Sequence, residues 1–247
     1  MTSDPLISLI IPCFNEAQRV KDSLQQTIIS LSKQKLVWEL VVVDDGSTDN
    51  TVPIVESTLV SNPVRRGKIT LLKVSHGGKG WAVRNGMLHA HGDYRFISDL
   101  DLSVPLKYLS EFVQVMTEGA DIVIASRQLK QSRRFDEPKL RFIASRIFNR
   151  IIRWILALNV SDSQCGFKGF SSTTAKALFS IQRLNGYCFD PEVLFIAKKM
   201  KYKVIEAPVI WTYETASKVN LIIDSIKMIS DLVRIRIYSI LGKYKVD

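Results

Sequence analysis

The sequence predicts an α/β protein, a sheet covered by helices, and two observations carry that reading. Short apolar runs at 6–12, 38–43, 68–74 and 121–125 alternate with stretches whose apolar residues recur every three or four positions. The first two runs are almost unbroken, as expected of central strands buried on both faces rather than one. With 247 residues, 46% of them hydrophobic, the chain can bury a sizeable core, and the lack of a Pro/Gly/Ser-rich linker favours one domain with a tail.

Residues 6–12 form the first expected strand. Asn15, with Gln18 three positions later, reads as the N-cap of a helix carrying Val20, Leu24, Ile28 and Leu31 on one face. Residues 38–43 run directly into Asp44-Asp45-Gly46-Ser47-Thr48-Asp49. That acidic turn stands at the carboxyl end of a strand, where ligands of open α/β sheets gather, so Asp44 and Asp45 are candidate ligand contacts. Asp49 reads instead as a cap of the next helix, which bears Val52, Val55 and Leu59.

After the strand at 68–74, Gly77-Gly78-Lys79-Gly80 opens a helix reaching Met87. Glycines allow close backbone approach and a helix start favours an anion, which makes Lys79 and Arg84 phosphate-contact candidates. The spacing matches neither a Walker A loop nor a dinucleotide fingerprint. Next, an apolar run ends in Asp99-Leu100-Asp101. Strand residues i and i+2 point to one side, so Asp99 and Asp101 can converge on a hard divalent cation, Mg²⁺ or Mn²⁺. A helix over 105–118 with Leu106, Leu109, Val113 and Met116, a C-cap at Gly119 and a strand at 121–125 ending in Ser126-Arg127 complete this half.

The second half is more basic. Residues 128–138 read as a charged loop, and 139–159 as a hydrophobic helix edged by Arg141, Arg146, Arg150 and Arg153. A polar turn at 162–168 leads to a short strand, a helix spans 189–200, and 202–213 supplies one or two strands. Residues 218–245 form a closing amphipathic helix with Lys227, Arg234, Arg236, Lys243 and Lys245, a pattern suited to a membrane interface.

Charge narrows the partners. Thirty-four Lys and Arg against 24 Asp and Glu give +10, which points to nucleic acid, a lipid surface or phosphorylated substrates. The basic residues sit on apolar amphipathic helices and no nucleic-acid motif is present, so nucleic acid is not expected. Cys13, Cys165 and Cys188 are too widely spaced for a zinc site or disulfide framework, and His76, His89 and His91 lack metal spacing. No signal peptide or spanning helix is expected.

Taken in order, Pro12-Cys13-Phe14-Asn15-Glu16, Asp44 to Asp49, the Gly-Lys-Gly loop and Asp99-Leu100-Asp101 resemble the family 2 inverting glycosyltransferases of GT-A fold, whose nucleotide-binding half is Rossmann-like. Within that family, Asp162-Ser163-Gln164-Cys165-Gly166-Phe167-Lys168 and Phe189-Asp190-Pro191-Glu192 are similar to segments of the dolichyl-phosphate β-glucosyltransferases. The resemblance implies that Pro12, Phe14 and Glu16 line a nucleoside pocket, that Asp45 reads the base, and that Asp99 and Asp101 hold metal and sugar nucleotide. Ser103 stands where related mannose synthases often carry Gln, so a third metal ligand is left open. Arg127 and the Ser217-Lys218 pair match positions associated with phosphate.

The organisation implied is a GT-A domain over 1–217, its nucleotide-sugar half at about 1–127 and its acceptor half at 128–217, followed by the helix over 218–247. The function implied is transfer of a hexose, glucose from UDP-glucose foremost, onto a polyprenyl or dolichyl phosphate by an enzyme held peripherally at the cytoplasmic face of the membrane. GDP-mannose as donor, a soluble glycan hydroxyl as acceptor and a homo-oligomer stay open. A hydroxyl acceptor would require a general base, with Asp162 or Glu192 as candidates. A nucleotidyltransferase, releasing pyrophosphate, is the rival from another enzyme class.

Overall fold

The structure, a computed structural model, describes residues 6–62, 67–214 and 221–245. Strand β1 (Leu6–Cys13), helix α1 (Val20–Ser32) and strand β2 (Val37–Asp44) form the first β-α-β unit, with β1 and β2 parallel. Helix α2 (Thr51–Ser61) leads to β3 (Gly67–Lys73) beside β2, and α3 (Lys79–His89) to β4 (Tyr94–Ile97) on the other side of β1. Helix α4 (Tyr108–Thr117) and β5 (Ile122–Ser126) follow, then a short β6 (Arg133–Phe135) and α5 (Lys139–Leu156). Strand β7 (Lys168–Ser171) slots between β4 and β5, antiparallel to both. After α6 (Ser172–Ile181) and α7 (Phe189–Lys199), β8 (Val204–Pro208) pairs with β5, β9 (Ile210–Thr212) pairs with β6, and α8 (Leu221–Ile240) closes the chain.

The main sheet thus has seven strands in the order β3-β2-β1-β4-β7-β5-β8. Because β7 lies inside it, the sheet runs without a break across the boundary expected at residue 127. Alternate strand residues face opposite ways. Leu9, Ile11, Leu40 and Val42 pack with Leu24 and Leu31 of α1 and Leu109 and Phe112 of α4, whereas Ile10, Val41 and Val43 pack with Val83 and Met87 of α3 and Leu178 of α6. All are fully buried, which is why the apolar runs show no alternation.

Three expectations are corrected. Helix α1 begins at Val20, five residues after Asn15, which adopts a left-handed φ of 52° that asparagine tolerates. Helix α6 adds an element between the short strand and the helix expected at 189–200, where no element is expected from the sequence; Ser171 Oγ caps it by accepting from the Thr174 amide at 3.3 Å. The closing helix is no detached tail, since Met228, Leu232 and Ile235 enter the core that holds Val43. Its outer face still exposes Ile229, Val233, Ile237 and Ile240. Among the described residues, no helix is long and apolar enough to cross a membrane.

Candidate active site

The loops after β1 and β2 are stitched to each other, and that brings two of the sequence motifs to one place. The Asn15 amide donates to Ser47 Oγ at 2.9 Å and the Thr48 amide to Asn15 Oδ1 at 2.8 Å. The Glu16 amide donates to Thr51 Oγ1 at 2.7 Å, and Asp49 accepts from the Thr51 amide at the start of α2, the capping role read from the sequence. Asn15 therefore serves the neighbouring loop rather than its own helix.

Beside this seam lies a cleft of about 470 Å³ lined by Pro12, Phe14, Glu16, Arg19, Asp45, His76, Lys79, Asp99 and Asp101. The Phe14 and His76 rings stack 4.2 Å apart. Asp45 accepts from the Gly77 and Gly78 amides, each at 2.9 Å, and its carboxylate lies 2.9 Å from His76 Nδ1. Asp44 is buried below, its carboxylate closing the turn by accepting from the Ser47 amide at 3.0 Å. Arg84 is directed elsewhere, to the Phe179 and Ser180 carbonyls at 3.0 and 3.2 Å, so it holds α3 against α6 and does not line the cleft.

Asp99 and Asp101 stand at the floor. Lys79 Nζ is 2.6 Å from Asp99 Oδ1. Burial opposes both charges, yet their mutual attraction holds the lysine above its usual range and Asp99 below the usual carboxylate range. Asp101 is pushed the other way, up, by burial and by Asp99 beside it. Two hard oxygen donors, one of them short of positive charge, suit Mg²⁺ or Mn²⁺ completed by substrate phosphates. Among the described residues no third His, Cys, Asp or Glu joins them. Gly166 is needed here because a Cβ at that position would run into the Asp99 carboxylate.

A second cleft of about 250 Å³ shares Lys79, Asp99, Asp101 and Tyr187 with the first. Arg127 and Arg141 line it beside Trp211 and Tyr213, and Ala144, Phe148 and Met228 make it apolar toward α5 and α8. Arg127 spends Nε and Nη2 on fully buried Asp162, at 2.7 and 2.9 Å. Burial opposes the Asp162 charge, but Arg127 holds the carboxyl down at about 2. Asp162 is thus half of an ion pair behind the cleft, not a base within it. Glu192, also fully buried, accepts from the Arg183 and Leu184 amides and the Tyr244 hydroxyl. Among the described residues four carboxylates do reach the cleft, Asp99, Asp101, Asp190 and Glu214, and of these Asp190 is held by Lys168 Nζ at 2.5 Å. Lys218 lies outside the described residues.

Sequence reasoning missed Arg19, Arg141 as a cleft residue, Tyr187 and Asp190. Arg19 had a signal, the i,i+3 spacing from Glu16 with which it pairs at 2.5 Å. Tyr187 had none, since its position depends on how the loop after α6 folds back.

Comparison with known proteins gives the family and the fold. The chain belongs to glycosyltransferase family 2, whose description, Glycosyl transferase family 2, matches residues 8–179. It is a glycosyltransferase. Among similar proteins are the dolichyl-phosphate beta-glucosyltransferases of Dictyostelium discoideum and Saccharomyces cerevisiae, each 32% identical over 97% of this chain and 76% of the relative. Of solved structures, a glucosyl-3-phosphoglycerate synthase from Mycobacterium tuberculosis in complex with UDP shares the fold with a TM-score of 0.61 at 20% identity, covering 94% of this chain and 80% of that one. The Pyrobaculum calidifontis mannosyltransferase PcManGT, in complex with GDP-Man and Mn²⁺, gives 0.64 at 20% identity over 97% and 65%.

Breaking one side of a buried pair leaves the other charge uncompensated, so Asp162→Asn should cost about 3–5 kcal/mol of stability at neutral pH. Asp162 is depressed from 3.8 to about 2, so its contribution is full above pH 4 and is lost as pH falls through 2. Urea unfolding of both proteins should show the gap closing between those values; a gap independent of pH would rule out the ionised pair.

Proposed function

We propose that this enzyme transfers glucose from UDP-glucose to a polyprenyl or dolichyl phosphate at a membrane surface, with inversion at the sugar. The observation that carries this reading is the composition of the second cleft: cations at its head, apolar side chains along its flank. A lipid phosphate has that same division. The similarity to dolichyl-phosphate beta-glucosyltransferases supports it.

In this reading Phe14, Glu16 and Asp45 hold the nucleoside, and Lys79 and Arg19 meet the diphosphate. Asp99 and Asp101 would hold Mg²⁺ or Mn²⁺, which when bound neutralises the departing diphosphate. The acceptor phosphate enters beneath Arg141 and Nη1 of Arg127. One of its oxygens bonds to C1 of glucose as the bond from C1 to the UDP oxygen breaks, and UDP leaves with that electron pair. A phosphate monoester already carries negative charge near neutral pH, so positioning and charge compensation suffice without a general base. Asp190, one of the cleft carboxylates a hydroxyl acceptor could use, is occupied by Lys168.

The membrane belongs to the proposal through α5. Leu140, Ile143, Ile147 and Trp154 are exposed along one side of that helix, and Arg146, Arg150 and Arg153 are exposed beside them with no acidic residue on the helix. Phe148 and Ala144 of the same helix line the second cleft, so a lipid tail would leave the cleft along the surface that meets the bilayer. Each such cation near an anionic leaflet contributes about 1 kcal/mol and is screened by salt. Sedimentation with anionic vesicles should weaken as salt rises and weaken further in Arg150→Glu/Arg153→Glu. Failure to bind vesicles at low salt would favour a soluble acceptor.

The direct assay supplies labelled UDP-glucose or GDP-mannose with a polyprenyl phosphate and extracts the product into organic solvent. Label from UDP-glucose is expected there. Arg141→Ala should raise KM for the lipid phosphate or lower kcat while UDP-glucose binding without acceptor stays unchanged. Asp190→Asn should keep measurable transfer. If Asp190→Asn abolishes turnover and Arg141→Ala does not, the acceptor is a hydroxyl.

A further inference from the structure

Tyr244 lies past the end of α8, outside both clefts, and only 6% exposed. Its hydroxyl donates to Glu192 at 2.7 Å. The same carboxylate accepts the amides of Arg183, at 3.1 Å, and Leu184, at 2.8 Å, in the loop joining α6 to α7. Arg183 Nε reaches back to the Lys243 carbonyl at 3.1 Å, a second tie between that loop and the chain end.

That loop touches the site from two directions. Tyr187 lines both clefts. The Asn185 carbonyl accepts from the Trp81 amide at 3.2 Å, and Gln182 Nε2 bridges the Gly80 and Leu184 carbonyls at 2.9 Å each, so the loop is also the seat on which α3 begins. Gly78 fits only because it has no side chain: its φ is 105°, and a Cβ would stand 2.7 Å from the Asn185 carbonyl oxygen. Lys79, the partner of Asp99, is the next residue. A carboxylate buried without its hydroxyl donor would still need both loop amides, but one fewer hydrogen bond would fix its own position.

We infer that Tyr244 is a positioning residue: through Glu192 it sets the 183–187 loop, and with it Tyr187 and the start of α3 that carries Lys79. Loop geometry in the active site is thereby tied to the docked state of α8, the helix whose outer face is apolar. The kinetic part rests on the transferase reading; the loop part does not.

Tyr244→Phe removes one hydroxyl and keeps the ring packed between Phe195 and Tyr238, whose centroids lie 6.3 and 6.4 Å away. Amide hydrogen exchange at Arg183 and Leu184 is expected to quicken by about tenfold, with β1 and β2 unchanged. UDP affinity should drop severalfold, and kcat should fall more than the KM for the sugar nucleotide rises. As a control, Lys199→Ala removes the 2.9 Å contact to Ser239 that anchors α8 away from the loop. It should leave exchange at Arg183 and Leu184 as in the wild type. Unchanged exchange in Tyr244→Phe, or equal quickening in Lys199→Ala, would overturn the inference. Faster exchange with unaltered UDP affinity and kcat would overturn it too. The exchange measurement needs no acceptor, so it reads the loop whether or not transfer onto a lipid phosphate is observed.

Discussion

Carboxylates crowded into a half-buried floor repel unless cations stand among them, and the placement of those cations shapes this molecule. Asp99 and Asp101 stand where the two clefts join, and Asp190 lines the second of them. Lys79 answers Asp99 at 2.6 Å and Lys168 answers Asp190 at 2.5 Å. Each cation arrives by a different device. Lys79 comes from a glycine-started helix pressed against the loop after α6. Lys168 comes from β7, whose antiparallel insertion beside β4 sets Lys168 opposite Ile97, two residues before Asp99. Burial and the nearby Asp99 weaken the acidity of both Asp190 and Asp101; Asp190 has Lys168 against it, and at Asp101 the remaining deficit is one that a divalent cation with its nucleotide diphosphate would fill.

The pair Arg127 and Asp162 extends the same logic to the second cleft. An arginine already matched by a buried carboxylate contributes a fixed donor more than a net charge. Arg141, the other arginine of that cleft, donates to the Tyr213 hydroxyl at 3.1 Å and lies over the Tyr213 ring at 4.9 Å. Its stacking on an aromatic face orients the guanidinium while leaving the cleft wall apolar. An anionic head beside an apolar tail is what such a wall accommodates.

Much of this was legible in the sequence. The unbroken apolar runs of β1 and β2, the acidic turn after β2, the glycine loop before Lys79 and the i, i+2 carboxylates each carry a local rule, and the fold places all of them at one end of one sheet. What was not legible depends on partners distant in sequence. Arg84 looked like a phosphate contact because it follows the glycine loop, yet two carbonyls of α6 claim it. Asp162 and Glu192 looked like bases because they are acidic and sit in motif-like segments; only their burial against Arg127 and the Leu184 amide reveals structural roles. Asn15 has the composition of a cap but caps the wrong segment, since Ser47 and Thr48 fold over it. The closing helix showed its amphipathic pattern, but not that Met228 and Leu232 belong to the common core.

The central claim is that the Asp99 and Asp101 floor is a cation site completed by a nucleotide diphosphate. Mn²⁺ titration followed by the electron spin resonance of free Mn²⁺, with UDP present, reads that directly. The wild-type protein should take up one Mn²⁺ per chain in a UDP-dependent manner, and Asp101→Asn, with its fold intact by circular dichroism, should weaken that uptake by at least about tenfold. Equal uptake by the two proteins, or uptake indifferent to UDP, would contradict it.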